Sequence, residues 1–390
     1  MDKGAAMFKE EMGRRNFIRK ISSAVLGVWT SGLWNARPSV AKTETLPTLE
    51  YRTLGRTGLK VTTVGMGVMN CSESAVALRA FDLGINFFDT APSYMGGRNE
   101  EMVGKTLKGK RDKVFIQTKL SFSDEKRMRD SVERSLRRLQ TDYVDILLWH
   151  GLDSKEEVSD SRLHEFMEKM KKEGKARFTG FSAHSRMANL LREAAKVNDH
   201  DVALVSYNFT HSKDLREAVA QAAKSGIGIV AMKTQAGGYR KGKMGNFSPH
   251  QAALKFVLRD TNVTLAVPGV TTIEQIEECA ATMGTTLSQR EGDCLRQYQS
   301  FLRGRTCTMC GGCDGECPNG VPYDRFLRAM MYHDGYENDR LAADVFRNTV
   351  ASQIAERCSE CPSCLAVCRR GIDIQAQITL AQQILGNKSA

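Results

Sequence analysis

The sequence of 390 residues contains no apolar run of the roughly 20 residues that crossing a bilayer requires. Its longest candidate, Ile21–Trp34, is shorter and includes serine, threonine and glycine. A dense basic patch interleaved with aromatic residues is also missing, although the formal net charge is +11 and aromatic residues make up only 7%. The basic residues are instead spread along amphipathic segments, as on solvated helix faces. These absences disfavour a membrane-spanning protein and a nucleic-acid-binding protein.

The N-terminal segment orders charged, apolar and small residues as an export signal does. Arg14 and Arg15 precede the Ile21–Trp34 run, and residues 39–41 read Ser-Val-Ala, which suits signal-peptidase cleavage. The stretch resembles a twin-arginine export signal, with Gly13 in place of the usual serine or threonine. It predicts a periplasmic or otherwise exported protein. A frayed basic N-terminus is the alternative.

Eight of the eleven cysteines stand in two runs of C-x2-C-x2-C-x3-C spacing. In two-cluster bacterial ferredoxins, the fourth cysteine of each such run ligates the cluster held by the other run. The spacing therefore predicts two [4Fe-4S] clusters, the first on Cys307, Cys310, Cys313 and Cys368 and the second on Cys358, Cys361, Cys364 and Cys317.

Zinc and disulfides are the alternative uses of these cysteines. Zinc sites are typically built from paired C-x2-C units, which leaves the third regularly spaced cysteine unexplained. Arg369 departs from the ferredoxin pattern, since a proline normally follows the last cysteine of a run. Residues 321–335 and 338–354, between the two runs, place apolar side chains at helical spacing. Residues 296–390 are therefore predicted to form a mainly α-helical, ferredoxin-like domain.

The body of the chain alternates short apolar segments with amphipathic helices in eight successive units. A hairpin over residues 50–62 precedes these units. No G-x-G-x-x-G motif opens a helix after the first strand, as it would in a doubly wound dinucleotide-binding sheet. The alternation predicts an α/β fold, a (β/α)8 TIM barrel over residues 46–295. Residues 1–45 are then the signal peptide and linker.

Ionisable side chains follow successive predicted strands of this barrel. They are Asp89 after the second strand, Tyr94 in the loop beyond it, Lys119 at the end of the third and His150 at the end of the fourth. The C-terminal ends of barrel strands form the active site in such folds. An Asp–Lys pair beside a tyrosine is expected to lower the pKa of the phenol, and a histidine can polarise a carbonyl. The pattern predicts proton transfer to an oxygen atom at the barrel mouth.

Two further histidines, His184 and His211, follow the fifth and sixth predicted strands. Residues at these positions often line barrel sites. We expect both to be ordinary loop histidines, with a position at the site as the alternative.

The segments that carry these residues resemble the aldo/keto reductase family. NFFDTAPSY, FIQTKL, DYVDILLWHG, GKARFTGFSAHS and LAVPGVTTIEQIEE occur in the family's order between residues 50 and 285. The resemblance implies that Asp89, Tyr94, Lys119 and His150 are the catalytic tetrad, with Tyr94 as the general acid. Combined with the two cysteine runs, it implies the ferredoxin-fused branch of the family.

The same resemblance implies NADPH, but the sequence lacks most of the expected contacts. Gly269, Val270, Gln275 and Cys279 stand where many members carry the residues that hold the adenosine part. Arg–phosphate pairs are among the stronger charge-assisted hydrogen bonds, so their loss predicts weak binding of free NADP(H) and leaves its presence uncertain. The candidate cofactor contacts that remain are Ser182, Lys233, Gly237 and Gly238.

Three functions remain compatible with the sequence. The first is an exported oxidoreductase that reduces a carbonyl or oxidises an alcohol, and whose clusters exchange electrons with an electron-transfer protein or a membrane redox partner. The second performs the same chemistry with NADP(H) bound tightly before passage through the twin-arginine export machinery. The third is a non-enzymatic electron-transfer subunit with a scaffolding barrel, and it predicts a decayed tetrad.

Overall fold

The computed structural model describes residues 47–237, 248–310, 313–315, 317–348, 358 and 361–386. The predicted export signal, within residues 1–45, lies outside these residues and stays a prediction. Leu46–Ala390 forms one compact unit. In the described part of the chain, no helix is both long enough and apolar enough to cross a membrane.

Eight parallel strands form the body of the protein, and each pairs with the next in chain order. The amide of Gly65 donates to the carbonyl of Ala266 at 2.8 Å, and the amide of Ala266 donates to the carbonyl of Thr63 at 2.9 Å. These bonds join the first strand to the last, so the sheet is closed and the predicted barrel is confirmed. The strands are β3 (Met66–Gly67), β4 (Phe87–Asp89), β5 (Phe115–Leu120), β6 (Val144–Trp149), β7 (Ala176–Ala183), β8 (Val202–Ser206), β9 (Gly228–Met232) and β10 (Leu265–Ala266).

Amphipathic helices alternate with the strands and cover them. In α3 (Glu125–Leu139) the buried residues Met128, Val132 and Leu136 recur every four positions, which gives the helix one apolar face. The carboxylate of Asp124 caps this helix by accepting from the amide of Arg127 at 3.0 Å. The helices are α1 (Ser74–Asp82), α2 (Arg98–Thr106), α3 (Glu125–Leu139), α4 (Lys155–Val158), α5 (Ser161–Lys172), α6 (Met187–Val197), α7 (Lys213–Lys224), α8 (Pro249–Leu258), α9 (Ile273–Ala280) and α10 (Gln289–Leu302).

The predicted hairpin closes the end of the barrel where the strands begin. Its strands β1 (Tyr51–Thr53) and β2 (Lys60–Thr62) pair antiparallel. The turn begins at Gly55, where a Cβ atom would lie 2.3 Å from the amide nitrogen of Gly228 at the start of β9. Only glycine fits this contact. Because the hairpin covers this end of the barrel, the opposite end is the one open to a substrate.

The C-terminal region, the described residues from 303 onward, has a buried core of its own. In that core the rings of Phe326 and Phe346 lie 5.4 Å apart. Both stretches predicted as helical contain helices, and residues 349–354 of the second stretch lie outside the described residues. The elements are β11 (Cys313–Asp314), α11 (Tyr323–Met330), a π-helical turn (Met331–Gly335), α12 (Asp339–Asn348), β12 (Val367–Cys368), α13 (Ile374–Ala381) and a second π-helical turn (Gln382–Gly386).

Polar contacts join the C-terminal region to loops at the C-terminal ends of the barrel strands. Helix α10 runs across the predicted domain boundary at residues 295 and 296, and the ferredoxin-like character of residues 296–390 stays a prediction. The contacts are Arg370 Nη1 to the carbonyl of Thr210 at 3.1 Å, Asn338 Nδ2 to Asn70 Oδ1 at 3.4 Å, and His211 Nε2 to the carbonyl of Thr308 at 3.2 Å.

Candidate active site

The four residues expected at the barrel mouth come together there. Lys119 Nζ lies 2.7 Å from Asp89 Oδ1 and donates to the carbonyl of Thr90 at 2.8 Å. The same ammonium lies 4.8 Å from the ring centre of Tyr94. The Tyr94 ring stands edge-on to the imidazole of His150, with 6.1 Å between ring centres. This arrangement is compact enough to act on one substrate group, while the catalytic roles stay predictions.

The register of the barrel strands explains how Asp89 and Lys119 meet. Asp89 on β4 pairs with Gln117 on β5, and Lys119 follows two positions later. Because side chains on a strand alternate between its two faces, Gln117 and Lys119 point to the same side. Gln117 Nε2 accordingly donates to Asp89 Oδ1 at 2.7 Å. The carboxylate is therefore held by two donors from one strand.

Residues with left-handed backbone conformation follow Tyr94 in the chain and help to fix its position. Met95 has φ 50°, and Gly97 has φ 94°. A Cβ atom on Gly97 would lie 2.1 Å from Cζ of Arg138. The positive φ therefore favours glycine here, and any side chain would also displace the guanidinium group of Arg138.

Burial sets the protonation states of the site. It raises the pKa of Tyr94 above its ordinary value of 10.0, even though Lys119 lowers it. The expectation of a lowered phenol pKa is therefore wrong, because burial outweighs the nearby cation. Burial first, then Lys119 and Arg328, lowers the pKa of His150 to about 3. Tyr94 consequently keeps its proton, and His150 is neutral at working pH.

A cavity of about 800 Å³ lies between the barrel mouth and the C-terminal region. His150 and His184 line its barrel side, with their ring centres 6.4 Å apart. His184 Nδ1 is buried and has no hydrogen-bond partner among the described residues. Contrary to expectation, His184 thus belongs to the site. His211 is a structural loop histidine, as expected, because its Nδ1 accepts from the amide of Asn208 at 3.1 Å.

The cysteines predicted to bind the first cluster line the opposite side of this cavity. Cys313 and Cys368 are paired residues of β11 and β12. Burial raises the pKa of Cys307 to about 12, and the nearby thiols of Cys310, Cys313 and Cys368 add to the rise. The quartet expected from the spacing is therefore a spatial group. The lining cysteines are Cys307, Cys310, Cys313 and Cys368.

The second quartet is also a spatial group. Burial raises the pKa of Cys358 to about 11, and the thiols of Cys317, Cys361 and Cys364 contribute. All eight cysteines are free thiols rather than disulfides. In the described part of the chain, no group of three or more His, Cys, Asp or Glu residues is arranged to hold a metal ion.

Ser182, one of the candidate cofactor contacts, is engaged within the protein. Its hydroxyl donates to the carbonyl of Trp149 at 3.2 Å and accepts from the amide of Gly151 at 2.9 Å. These bonds hold the loop that carries His150. Gly238 lies outside the described residues.

Lys233 and Gly237, in the loop after β9, are covered by the C-terminal region. Lys233 Nζ lies 5.0 Å from the ring centre of Tyr332, and burial lowers its pKa to about 8. A Cβ atom on Gly237 would lie 3.1 Å from Cα of Gly335. A void of about 20 Å³, on the scale of one water molecule, lies beside Lys233.

Sequence reasoning missed two residues of the C-terminal region, Arg328 and Tyr332. They stand four positions apart, which places them on one side of the continuous helical segment. Arg328 Nη2 lies 3.5 Å from the hydroxyl of Tyr332. The signal in the sequence for Arg328 was its position as a cation among the apolar residues of a predicted helix.

The sequence model of the aldo/keto reductase family matches residues 58–247, which include all four residues of the mouth. An uncharacterized oxidoreductase of Bacillus subtilis, YrpG, is 30% identical over 227 residues, covering 50% of this chain and 69% of that protein. The chain belongs to the aldo/keto reductase family. The family prediction is confirmed, while the ferredoxin-fused branch stays a prediction.

The chain is also similar to two further proteins. L-galactose dehydrogenase of Arabidopsis thaliana is 41% identical over 156 residues, covering 34% of this chain and about half, 48%, of that protein. The aldo-keto reductase of Klebsiella pneumoniae, solved in complex with NADPH, is 27% identical, with a TM-score of 0.55. That match covers 65% of this chain and 95% of the Klebsiella chain.

Among the described residues, this aldo/keto reductase shows no open barrel site of the usual kind for a nucleotide. Phosphate sites in such barrels commonly form from the loops after the seventh and eighth strands. The described part of the loop after the seventh strand contains Lys233 and Gly237, which the C-terminal region covers. The loop after the eighth strand contains no lysine or arginine between residues 268 and 276, and Gln275 Oε1 accepts from the amide of Thr271 at 2.7 Å. These residues do not fit an exchangeable NADP(H).

Proposed function

We infer that this protein is an exported oxidoreductase of the aldo/keto reductase type that reduces a carbonyl group or oxidises an alcohol. In this proposal two [4Fe-4S] clusters, rather than free NADPH, exchange the electrons. One observation carries it: the cavity that His150 lines on one side is lined on the other by a quartet of cysteines. Substrate and electron source therefore face the same space.

The cysteine groups fit two clusters by number and by surroundings. Each quartet supplies four thiols, the ligand set of a [4Fe-4S] cluster. Backbone amides of Met309 and Arg370 donate to the sulfurs of Cys307 and Cys368 at 3.3 and 3.4 Å. Hydrogen bonds to sulfur are one way in which proteins tune such groups.

The proton chemistry is assigned to the barrel residues. When bound, the two clusters would supply two electrons, one at a time, and carbonyl reduction also consumes two protons, of which Tyr94 supplies the one to oxygen and water in the cavity the one to carbon. Tyr94 holds a proton at its hydroxyl, and it gives this proton to the carbonyl oxygen. The neutral imidazole of His150 orients that oxygen by hydrogen bonding. The Lys119–Asp89 pair stabilises the phenolate that Tyr94 leaves behind.

The alternative with NADP(H) loaded before export has one point in its favour, the NADPH complex of the Klebsiella relative. The covered loop after β9 counts against it. A scaffolding barrel has less support, because it predicts decay of a tetrad whose four residues are all present and assembled.

Anaerobic reoxidation of the reduced full-length protein tests the proposal. We expect carbonyl compounds to restore the visible absorbance of the oxidised clusters, and NADPH to be unable to reduce them. Extraction of the purified protein should release no nicotinamide nucleotide. Bound NADP in amounts equal to the protein would favour the alternative.

Tyr94→Phe tests the role of the tyrosine in the same assay. General acid catalysis is typically worth a factor of about 10²–10⁴, so we expect reoxidation to slow by that range. Tyr51→Phe is the matched control, because Tyr51 lies on β1 at the far end of the barrel and is 49% exposed. Equal rates for both variants would remove the main support for an enzyme.

A further inference from the structure

The cavity wall carries more positive than negative charge. Two of its arginines, Arg328 and Arg370, each have a buried Nε atom with no hydrogen-bond partner among the described residues. An unpaired buried cation is unfavourable, so buried charges normally have a partner. The charged lining residues are Arg186, Arg325, Arg328 and Arg370 against Asp153 and Asp324.

Two of the other arginines already have partners. Arg186 Nη1 lies 2.6 Å from Asp153 Oδ1, and this ion pair cancels both charges. Arg370 donates through its side chain to the carbonyl of Thr210 at 3.1 Å and through its backbone amide to the sulfur of Cys368. Arg370 therefore serves the cysteine side of the cavity, where thiolates bring negative charge.

Arg328 belongs instead to the catalytic side. It helps to lower the pKa of both His150 and His184, so the two imidazoles are neutral and add no charge. Lys233, in the barrel loop after β9 and 5.0 Å from the ring centre of Tyr332, has a buried Nζ without a hydrogen-bond partner in the described part of the chain. Among the described residues, no carboxylate forms an ion pair with either Arg328 or Lys233.

We propose that the substrate is an anionic carbonyl compound, with a carboxylate that Arg328 binds while its carbonyl oxygen lies at Tyr94 and His150. This inference rests on the proposed function and specifies its substrate class. The guanidinium group is planar and offers paired donors that match a carboxylate, whereas a lone ammonium does not. The smallest members of the class are the 2-oxo acids, and the reduced products are the corresponding hydroxy acids.

Calorimetric binding to the oxidised, cluster-loaded, full-length protein tests the substrate class without turnover. The probes are pyruvate and butane-2,3-dione, which have similar shapes but differ in the carboxylate. We expect pyruvate to bind at about millimolar concentration or below and at least tenfold more tightly than the neutral diketone. Equal affinities, or no heat from pyruvate at that concentration, would overturn the proposal.

Variants of Arg328 test the residue. Arg328→Gln should weaken pyruvate binding at least tenfold, Arg328→Lys should recover part of it, and butane-2,3-dione should be unaffected. Arg325→Gln, on the same helix and cavity wall but exposed, is the control and should change pyruvate binding less than twofold. Unchanged cluster absorbance establishes that each variant is folded.

One competing partner for Arg328 lies within the protein. Lys233 and Arg328 lower the pKa of Tyr332 to about 7, so its phenolate could neutralise them. If Arg328→Gln left pyruvate binding unchanged, Tyr332 would be the partner and the proposal would be wrong. Because binding is measured without electron transfer, failure of carbonyl reduction would refute the proposed function alone.

Discussion

Acidification should destabilise this protein through a buried histidine far from the catalytic residues. His200 is only 4% exposed, and its Nε2 lies 3.0 Å from the carbonyl of Val158. Burial lowers the pKa of His200 from 6.5 to about 4. The folded state therefore holds a neutral ring at pH values where the unfolded chain binds a proton. The resulting contribution to stability is complete above pH 6.5 and is lost as the pH falls toward 4.

The size of the effect follows from the shift in pKa. Each unit is worth about 1.4 kcal/mol, so His200 alone should cost about 2 kcal/mol at pH 5 and about 3 kcal/mol below pH 4. His200→Gln keeps a donor for Val158 but does not titrate. The free energy of unfolding should therefore fall by about 2 kcal/mol less in this variant than in the wild type between about pH 7 and pH 5.

Urea unfolding followed by circular dichroism, performed anaerobically at each pH, measures this difference. Loss of clusters in acid affects the wild type and His200→Gln alike and cancels in the comparison. Parallel pH dependences for the two proteins would refute the argument that burial keeps this ring neutral.

Three further results are expected. Lys119→Met leaves Asp89 buried without its cation, so the free energy of unfolding should drop by about 3–5 kcal/mol, and a drop below about 1 kcal/mol in urea titrations would contradict a buried pair. Turnover should show no histidine-dependent fall between about pH 5 and pH 8, because His150 is already neutral, and a midpoint near the ordinary histidine pKa would speak against this. Gly237→Ala should destabilise the protein by about 1–2 kcal/mol through its positive φ and speed amide exchange at Gly335, whereas unchanged exchange would show that the two loops are not in contact.

The barrel could be predicted because its signals are local. Strands and helices alternate with clear periodicities, and a parallel barrel brings the ends of successive strands to one rim. Asp89, Lys119 and His150 each end or follow such a strand, so their meeting followed from the sequence. The cysteine quartets were equally accessible, because their spacing alone assigns the exchanged fourth ligand.

The side of the cavity that the C-terminal region forms could not be predicted in this way. Arg328 and Tyr332 reach the barrel mouth only because the C-terminal region docks there, and no periodicity encodes docking between distant segments. The pKa of Tyr94 was expected to move in the wrong direction for a related reason. Burial of Tyr94 raises its pKa more than the neighbouring ammonium lowers it, and burial depends on the assembled fold rather than on neighbours in sequence.

The contacts between the C-terminal region and the barrel have a consequence for the order of assembly. Arg370 and Thr210 are 160 residues apart in sequence, and Asn338 and Asn70 are 268 apart. Such long-range contacts form late, because closing large loops costs chain entropy. A chain whose last hundred or so residues are unfinished therefore holds the tetrad in an open, wet mouth. We therefore expect the reacting space to be enclosed late in the folding of the chain.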